Sequence, residues 1–388
     1  MPFINRRMCR GPVVVAAVLI SPSLWANQND DAFKDYVNNV ICNNPQGDLV
    51  ITCNAASTTV GGSGNTLPQT ANISAQGVNE LSSRESTNKA KLSQQSEEDA
   101  ARVQMQRWGV FGGIDYRNLD RDDTTIETGY DGRTVVLTVG ADYRLTRDLL
   151  AGTALSYADT RMNFSGRSAT MDVTGYEWVA FANYQFSDWL YMDGYLGTTQ
   201  QKNDGSRAVS FGLIQYDAQT DFDSDNTQWG LGMGTQTAFN NLALDVSLRF
   251  DSSRVKVDAY TEKGGDSIEN LNLRYDSQTI DSNQVKLAIN SALNLSLQNG
   301  VMAPYVRAEV INELETDARA ITSHLVLAPD EPAFVATTDK PDDLYGRIAM
   351  GVQYLKAGGV MLYLDAEGLV GHAFLNNWGL SSGFRLEL

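Results

Sequence analysis

From residue 108 to the end of the chain, apolar and polar residues alternate with a period of two. Successive side chains of a β-strand point to opposite faces, so each such run predicts a strand with one apolar and one polar face. The clearest run places apolar side chains at Leu242, Leu244, Val246, Leu248 and Phe250, separated by Ala243, Asp245, Ser247 and Arg249. The amphipathic strand is therefore the element predicted for most of the chain.

Runs of this kind recur twelve times, and nine to eleven tilted residues suffice for a strand to cross a bilayer. Short turns such as 146–148 and 298–300 alternate with long polar links such as 203–226 and 315–342. The sequence thus predicts an all-β fold: a 12-stranded antiparallel transmembrane β-barrel with up-and-down meander order. The runs lie near 108–116, 132–145, 149–160, 170–186, 189–202, 227–239, 241–257, 282–297, 301–314, 343–355, 359–370 and 377–388.

A soluble β-sandwich would show the same alternation, but three features favour a membrane barrel. An even number of meander strands closes without exposed edges. Aromatic side chains gather near strand ends, as in interfacial girdles, at Tyr143, Tyr184, Phe186, Trp189, Tyr191, Phe239, Phe250, Tyr354 and Trp378. The polar faces also carry charges that a dry core could not bury unpaired: Asp245, Arg249, Arg307, Glu309, Arg347, Asp365, Glu367, Arg385 and Glu387.

Residues 1–26 have the pattern of a secretory signal peptide. Arg6, Arg7 and Arg10 precede an apolar stretch from Gly11 to Ile20, and small residues follow up to Ala26. The alternative, a buried apolar strand, does not explain the basic start. We therefore expect the mature protein to work outside the cytoplasm.

Residues 27–74 are predicted to form a short polar segment that ends in a flexible glycine-rich linker. Phe33, Tyr36 and Val37 recur at helical spacing and predict a short amphipathic helix. Cys42 and Cys53 enclose a turn that contains Pro and Gly, which predicts a disulfide in an oxidising compartment. The alternative is a metal site, for which two thiols alone are a poor ligand set.

Residues 75–107 are rich in Ser, Gln, Glu, Lys and Ala and lack Pro, so they favour a helix that is polar on all sides. About thirty helical residues extend roughly 45 Å, the thickness of a bilayer with its headgroups. We predict a luminal helix whose Arg84, Lys89, Lys91 and Arg102 pair with inward charges of the barrel wall. A solvated linker is the alternative.

Composition narrows the classes of function. The 388 residues include 47 acidic and 30 basic side chains, a net charge of -17, which argues against a nucleic-acid partner because phosphate contacts need a basic face. The two histidines, His324 and His372, lie in predicted loops and offer little for catalysis or metal binding. The sequence therefore predicts no cofactor, no metal and no enzyme activity.

The order of these segments resembles the translocator domain of classical autotransporters, the type V secretion family. The resemblance covers about residues 75–388 and is carried by Trp108–Gly113, by Gly175–Ala180 and by the final strand. It implies a barrel at 108–388 in the Gram-negative outer membrane, a helix in its lumen, and a passenger exported to the cell surface. Residues 27–74 would then be a vestigial passenger.

The resemblance also implies partners. These are the outer-membrane lipid bilayer, the general secretion machinery and the outer-membrane assembly machinery, and we expect a monomer. The assembly signal would lie at Phe384, Leu386 and Leu388, although the family usually closes on an aromatic residue and this chain closes on leucine. The predicted function is to anchor, and to export or display, the chain's own N-terminal segment at the cell surface or pore mouth.

Two other functions stay open at this point. A barrel whose lumen is not occupied would be a channel for small solutes, as in porins. A surface hydrolase would need a base in an external loop, and His324 oriented by Asp330 or Asp339 is the candidate.

Overall fold

The computed structural model describes residues 28–41, 107–165, 169–211, 214–265, 271–356 and 358–388. The predicted signal peptide, the predicted disulfide partners Cys42 and Cys53, and the predicted luminal helix at 75–107 all lie outside these ranges. No helix within them is long and apolar enough to span a bilayer. The helical elements are α1 (Gln28–Tyr36) and a π-helical turn that continues it (Val37–Ile41).

Strands make up most of the described chain after residue 107. They are β1 (Trp108–Arg121), β2 (Tyr130–Arg144), β3 (Leu149–Phe164), β4 (Ala169–Ser187), β5 (Leu190–Phe211), β6 (Ile214–Phe239), β7 (Leu242–Val257), β8 (Tyr260–Thr261), β9 (Leu273–Tyr275), β10 (Gln278–Leu293), β11 (Leu295–Leu297), β12 (Gly300–Glu313), β13 (Ala320–Leu325), β14 (Phe334–Thr337), β15 (Leu344–Lys356), β16 (Val360–Val370) and β17 (Trp378–Glu387).

Twelve of these strands close into one antiparallel barrel. Around the barrel the order is β1, β2, β3, β4, β5, β6, β7, β10, β12, β15, β16 and β17, and β17 returns to β1 with Phe384 opposite Gly112. Each strand pairs with the next barrel strand along the chain, so the predicted meander is confirmed. Closure leaves no free first or last strand, so the backbone groups of β1 and β17 pair with each other, as a membrane-spanning sheet requires.

The outer surface of the barrel is apolar, as the alternation predicts. In β7, Leu248 is exposed while Asp245 and Arg249 are buried on the inner face. Among the predicted girdle residues, Tyr184, Phe186, Trp189, Phe239 and Trp378 are exposed. Tyr191 is an exception: it is buried and its hydroxyl donates to the Asp245 carboxylate at 2.9 Å, so its assignment to the girdle was wrong.

The two ends of the barrel differ. Short turns join β2 to β3, β4 to β5 and β15 to β16 at the end where β1 begins and β17 finishes, which we call the short-turn end. At the opposite end, the long-loop end, residues 258–277 and 314–343 make the longest connections. Short turns face the periplasm and long loops face outward in bacterial outer-membrane barrels.

Residues 203–226 are strand, whereas the sequence predicted a polar link. β5 and β6 stay paired from Leu190 opposite Thr235 up to Phe211 opposite Ile214. In the upper part of this hairpin, Asp221 and Asp223 face outward and Phe222 faces inward. The polarity of the faces is reversed there because the strands extend past the bilayer, so water replaces lipid on the outside. The prediction assumed an apolar outer face along the whole strand.

The two longest loops build a second sheet at the long-loop end. Its strand order is β14, β13, β9 and β8, and we call it the loop sheet. It joins the barrel where Lys263 pairs with Gln219 of β6, whose upper edge β7 leaves free. The loop sheet packs on inward-facing residues of the upper barrel wall, and together they fill the mouth.

Candidate functional site

An apolar core occupies the mouth of the barrel at the long-loop end, and we call it the mouth core. It combines inward residues of the upper barrel, residues of the loop sheet, and one face of α1. Its members include Phe33, Tyr36, Val37, Leu119, Tyr130, Met162, Phe164, Met171, Val173, Val209, Phe222, Val255, Val257, Tyr260, Leu271, Leu273, Tyr275, Ile280, Ile321, Leu325 and Phe334. Packed side chains therefore lie where an open pore would have its entrance.

Helix α1 is docked on the loop sheet by its aromatic face. Phe33 lies edge-on to Phe334 of β14, with ring centroids 5.1 Å apart, and the Tyr36 hydroxyl donates to the Pro332 carbonyl at 2.7 Å. An isolated helix of nine residues is marginal in water. Its helical form therefore depends on the burial of Phe33, Tyr36 and Val37 in the mouth core.

Asn29 at the start of α1 joins two loops. Its side-chain amide donates to the Ile126 carbonyl at 2.7 Å and to the Thr337 carbonyl at 2.9 Å, and its oxygen accepts from the Thr337 backbone amide. Ile126 belongs to the β1–β2 connection and Thr337 ends β14. The helix thus closes the gap between the loop sheet and the first hairpin of the barrel.

A buried ion pair ties the loop sheet to the barrel wall. Arg207 of β5 donates from Nε to Glu262 Oε1 at 2.9 Å and from Nη2 to Glu262 Oε2. Glu262 also accepts from the Leu273 backbone amide at 2.9 Å. Both side chains are almost fully buried, so each compensates the desolvation of the other.

A second charged cluster lies at the β1–β2 connection. Arg121 at the end of β1 contacts Glu127 at 3.0 Å and Asp339 at 2.5 Å, and Asp339 donates from its backbone amide to Glu127 at 2.8 Å. The cluster borders a cavity of about 110 Å³ that is also lined by Arg319 and His372. Burial raises the pKa of Glu127 to about 7, and Arg121 only partly opposes this shift.

Acidification through pH 7 is expected to stabilise the β1–β2 connection. Because the pKa of Glu127 is higher in the folded protein than in the unfolded chain, the folded state binds more protons between about pH 4.5 and 7. The contribution of Glu127 should raise the ratio of closed to open connection about tenfold from pH 8 to pH 6. Hydrogen exchange of residues 121–130 measures this ratio.

Glu127→Gln is the matched control for this pH dependence. Burial lowers the pKa of His372 in the same cavity, so His372 destabilises the folded form as the pH falls through its unfolded value of about 6.5. Because the contributions of His372 and Glu127 have opposite signs, the Glu127 contribution is obtained by subtracting the pH dependence of Glu127→Gln from that of the native chain. Equal pH dependence in the two proteins would contradict the prediction.

The charges that the sequence assigned to the lumen pair within the wall. Arg249 contacts Asp193 and lies 3.8 Å from Asp251, and Arg347 donates to Glu309 at 2.9 Å. The other wall pairs are Arg307 with Glu367 at 3.9 Å, Arg385 with Asp142 at 2.9 Å, and Lys286 with Asp251 at 2.9 Å. The helix charges Arg84, Lys89, Lys91 and Arg102 lie outside the described residues.

Several wall partners were absent from the sequence-based list. Asp142, Asp193, Asp251 and Lys286 lie at the same parity in their strands as buried inward residues. Their odd or even position within each strand was the signal that could have identified them as inward-facing residues. Which acid meets which base depends on strand register, which alternation does not encode.

The predicted assembly residues end the last strand on the outside of the barrel. Phe384 and Leu388 are exposed and Leu386 is half-buried. The Leu388 backbone amide donates to the Trp108 carbonyl at 2.9 Å, so the last residue closes on the first strand.

The histidines do not form the predicted dyad. His324 lies 3.7 Å from Asp276, whereas Asp339 is held by Arg121. His372 lies 3.7 Å from Asp342 and accepts backbone amides of its own loop through Nδ1. In the described ranges, no three His, Cys, Asp or Glu side chains come together to hold a metal ion.

Comparison with known proteins relates the barrel to one family. The family model described as "Autotransporter beta-domain" matches residues 110–367. Among solved structures, the translocator domain of the autotransporter NalP from Neisseria meningitidis superposes with a TM-score of 0.60. That match covers 81% of this chain and 98% of NalP's domain at 15% identity, so it shows the fold alone.

Two curated relatives from Pseudomonas match part of the chain. A Pseudomonas putida protein described by its position in the trpE-trpG intergenic region is 27% identical over 203 residues, 51% of this chain and 33% of the relative. Esterase EstA of Pseudomonas aeruginosa is 23% identical over 248 residues, 63% of this chain and 37% of the relative. The chain thus spans about a third of the length of these relatives.

Proposed function

The chain belongs to the autotransporter β-domain family, and on that basis we propose that it is an outer-membrane translocator that exports its own short N-terminal segment and keeps it at the pore mouth. The barrel would lie in the outer membrane of a Gram-negative bacterium, with its lipid-facing surface in the bilayer. The proposed role includes no bond-breaking chemistry, and the activity named for the esterase relatives is not transferred to this chain.

The proposal rests on where the chain lies just before and just after residues 42–107. Helix α1 and its π-helical turn are docked at the long-loop end, while β1 begins at the short-turn end, where Trp108 lies opposite Tyr143. The 66 residues between Ile41 and Trp108 must therefore join opposite ends of the barrel. A path through the lumen joins them without crossing lipid.

Each segment of the chain has a proposed role that is consistent with this path. Residues 1–26 would direct the chain to the general secretion machinery, and residues 27–74, with a disulfide between Cys42 and Cys53, would be the exported segment. Residues 75–107 would run through the lumen, and residues 108–388 would form the monomeric barrel. Phe384, Leu386 and Leu388 would be read by the outer-membrane assembly machinery. These assignments agree with the outward position of Phe384 and Leu388.

Protease treatment of intact cells tests the export step. An epitope tag placed beside Cys42, just after the docked helix, should be removed by an external protease while the barrel survives. A tag placed in the short turn at residues 146–148 is the control and should be protected. Protection of the first tag in intact cells, with cleavage after lysis, would contradict export.

Planar-bilayer conductance tests the occupied lumen. Both proteins carry Phe33→Ala, because docked α1 would close the long-loop end whatever the lumen holds. Deletion of residues 75–107 leaves 33 residues between Ile41 and Trp108, enough to span roughly 110 Å when extended. We expect the protein that keeps residues 75–107 to conduct weakly and the deletion variant at least about tenfold better, because a wet lumen is opened. An equally large conductance for both proteins would favour the solute channel instead.

A further inference from the structure

One sector of the inner wall is polar but uncharged. On β5 and β6, six inward side chains carry amide or hydroxyl groups, and we call them the amide wall: Thr199, Gln201, Asn203, Ser224, Asn226 and Gln228. Each is at most 5% exposed. The sector lies between Phe222 of the mouth core and Tyr195, which belongs to a smaller apolar cluster nearer the short-turn end.

The amide wall holds buried polar atoms that lack a partner. Within the described residues, neither side-chain nitrogen nor oxygen of Asn226 makes a hydrogen bond, and the same is true of Gln228 Oε1, Asn203 Oδ1 and Thr199 Oγ1. A buried polar atom without a partner costs about 1–3 kcal/mol. Such a concentration of them on one wall indicates a ligand that supplies uncharged donors and acceptors.

The charged sector of the wall offers a ligand much less. Asp193, Asp251, Arg249 and Lys286 compensate one another there, as do the pairs Glu309–Arg347 and Asp142–Arg385. A plug that bound through ion pairs would have to break these contacts, and breaking a buried pair is strongly unfavourable. These pairs between neighbouring and nearby strands therefore stabilise the wall itself.

The chain's own segment has the matching chemistry. Of the 33 residues from 75 to 107, 13 are Ser, Thr, Asn or Gln, and the five acids equal the five bases, so the net charge is zero. The stretch from Ser82 to Ser96 is especially rich in hydroxyl and amide side chains. Helix α1 and Trp108, which flank this part of the chain, lie at opposite ends of the barrel, so on the proposed path through the lumen this stretch passes the amide wall.

We propose that the amide wall is the seat of residues 75–107, and that uncharged hydrogen bonds rather than ion pairs hold the segment in the lumen. This rests on the proposed function, which routes the segment through the barrel. It replaces the expectation that Arg84, Lys89, Lys91 and Arg102 seat the segment electrostatically. Hydrogen bonds of this kind tolerate sliding, which suits a wall that a chain must pass during export.

The test compares three changes by planar-bilayer conductance in the full chain carrying Phe33→Ala, because docked α1 would otherwise close the long-loop end whatever the lumen holds. Asn226→Leu should raise the fraction of time at high conductance about tenfold, the effect of losing two hydrogen bonds. Thr138→Val, at a buried luminal hydroxyl of β2 that lies outside the amide wall and pairs with Ser156 at 2.9 Å, is the matched control and should change this fraction less than twofold. The fraction of time at high conductance should also change less than twofold in two further comparisons. One replaces Arg84, Lys89, Lys91 and Arg102 by Gln, and the other raises the salt concentration from 0.1 M to 1 M.

The opposite pattern overturns the inference. If neutralisation or salt opens the pore and Asn226→Leu does not, the seat is electrostatic. If deletion of residues 75–107 opens the pore but Asn226→Leu leaves it closed, water satisfies the amides and only this inference fails. If that deletion changes nothing, the proposed occupied lumen fails as well.

Cross-linking gives a second readout that does not depend on a closed pore. In a chain whose native cysteines are serine, Asn226→Cys combined with Gln94→Cys or Ser86→Cys should react with a short bifunctional maleimide in the membrane. Thr138→Cys with the same partners should react at least fivefold less. Equal or reversed yields would contradict seating on the amide wall.

Discussion

Replacement of Arg207 by leucine is expected to detach the loop sheet from the barrel wall. The change leaves the Glu262 carboxylate buried with only the Leu273 backbone amide and the Tyr275 hydroxyl as donors. Removal of one partner of a buried ion pair costs about 3–5 kcal/mol. Cleavage of the 258–277 loop by a protease in detergent should then become faster by two to three orders of magnitude, since about 1.4 kcal/mol corresponds to tenfold.

Arg254→Leu, on β7 two strands away from Arg207, is the matched control. Arg254 donates to Asp281 at 2.6 Å, but the two side chains are 61% and 37% exposed, so this ion pair contributes at most about 1 kcal/mol. The double change Arg207→Leu with Glu262→Gln should recover most of the protection, because it removes the uncompensated charge. Cleavage of Arg207→Leu at the rate of the Arg254→Leu variant would show that the pair does not hold the sheet.

Replacement of Phe33 by alanine is expected to release the N-terminal helix. Phe33 is 3% exposed and packs against Phe334 and Tyr36, and loss of a buried Phe side chain costs about 3–5 kcal/mol. A nine-residue helix has little stability of its own, so this loss should shift residues 28–41 from docked to free. Hydrogen exchange of these residues should lose its protection while that of the barrel strands is unchanged.

The adjacent Lys34 provides the control for this experiment. Its ammonium pairs with Asp31 at 3.3 Å on the solvent side of α1, and such a pair contributes only about 0.2–0.5 kcal/mol. Lys34→Ala should therefore keep the helix protected. If Phe33→Ala also keeps it protected, the contacts of Asn29, Tyr36 and Val37 suffice to hold the helix, and the prediction is wrong.

Docking of α1 changes the role expected for the exported segment. The sequence left open whether a short passenger is displayed at the surface or stays at the pore mouth. The aromatic face of α1 completes the mouth core and Asn29 bridges Ile126 and Thr337. A segment that fills its own exit is a structural part of the closed barrel. Under the proposed function, export and closure of the mouth are therefore consecutive steps for the same residues.

Much of the barrel could be predicted because its determinants are local in sequence. Alternation in β7 set which side chains face lipid and which face the lumen, and the recurrence of turns set the strand number and the meander order. Inward Asp245 and Arg249 follow from parity alone. The same reasoning failed at residues 203–226, since the sequence does not say where the bilayer ends and water begins to face the wall.

The sequence by itself thus determined the twelve-stranded barrel, its apolar outer face and its charged inner face. It could do so because alternation with a period of two assigns each side chain to one of the two faces of a strand. Only the tertiary structure decided that Arg207 meets Glu262, that α1 meets β14, and that Arg249 meets Asp193. Those partners lie tens to hundreds of residues apart along the chain. They meet through strand register and loop folding, which no local pattern encodes.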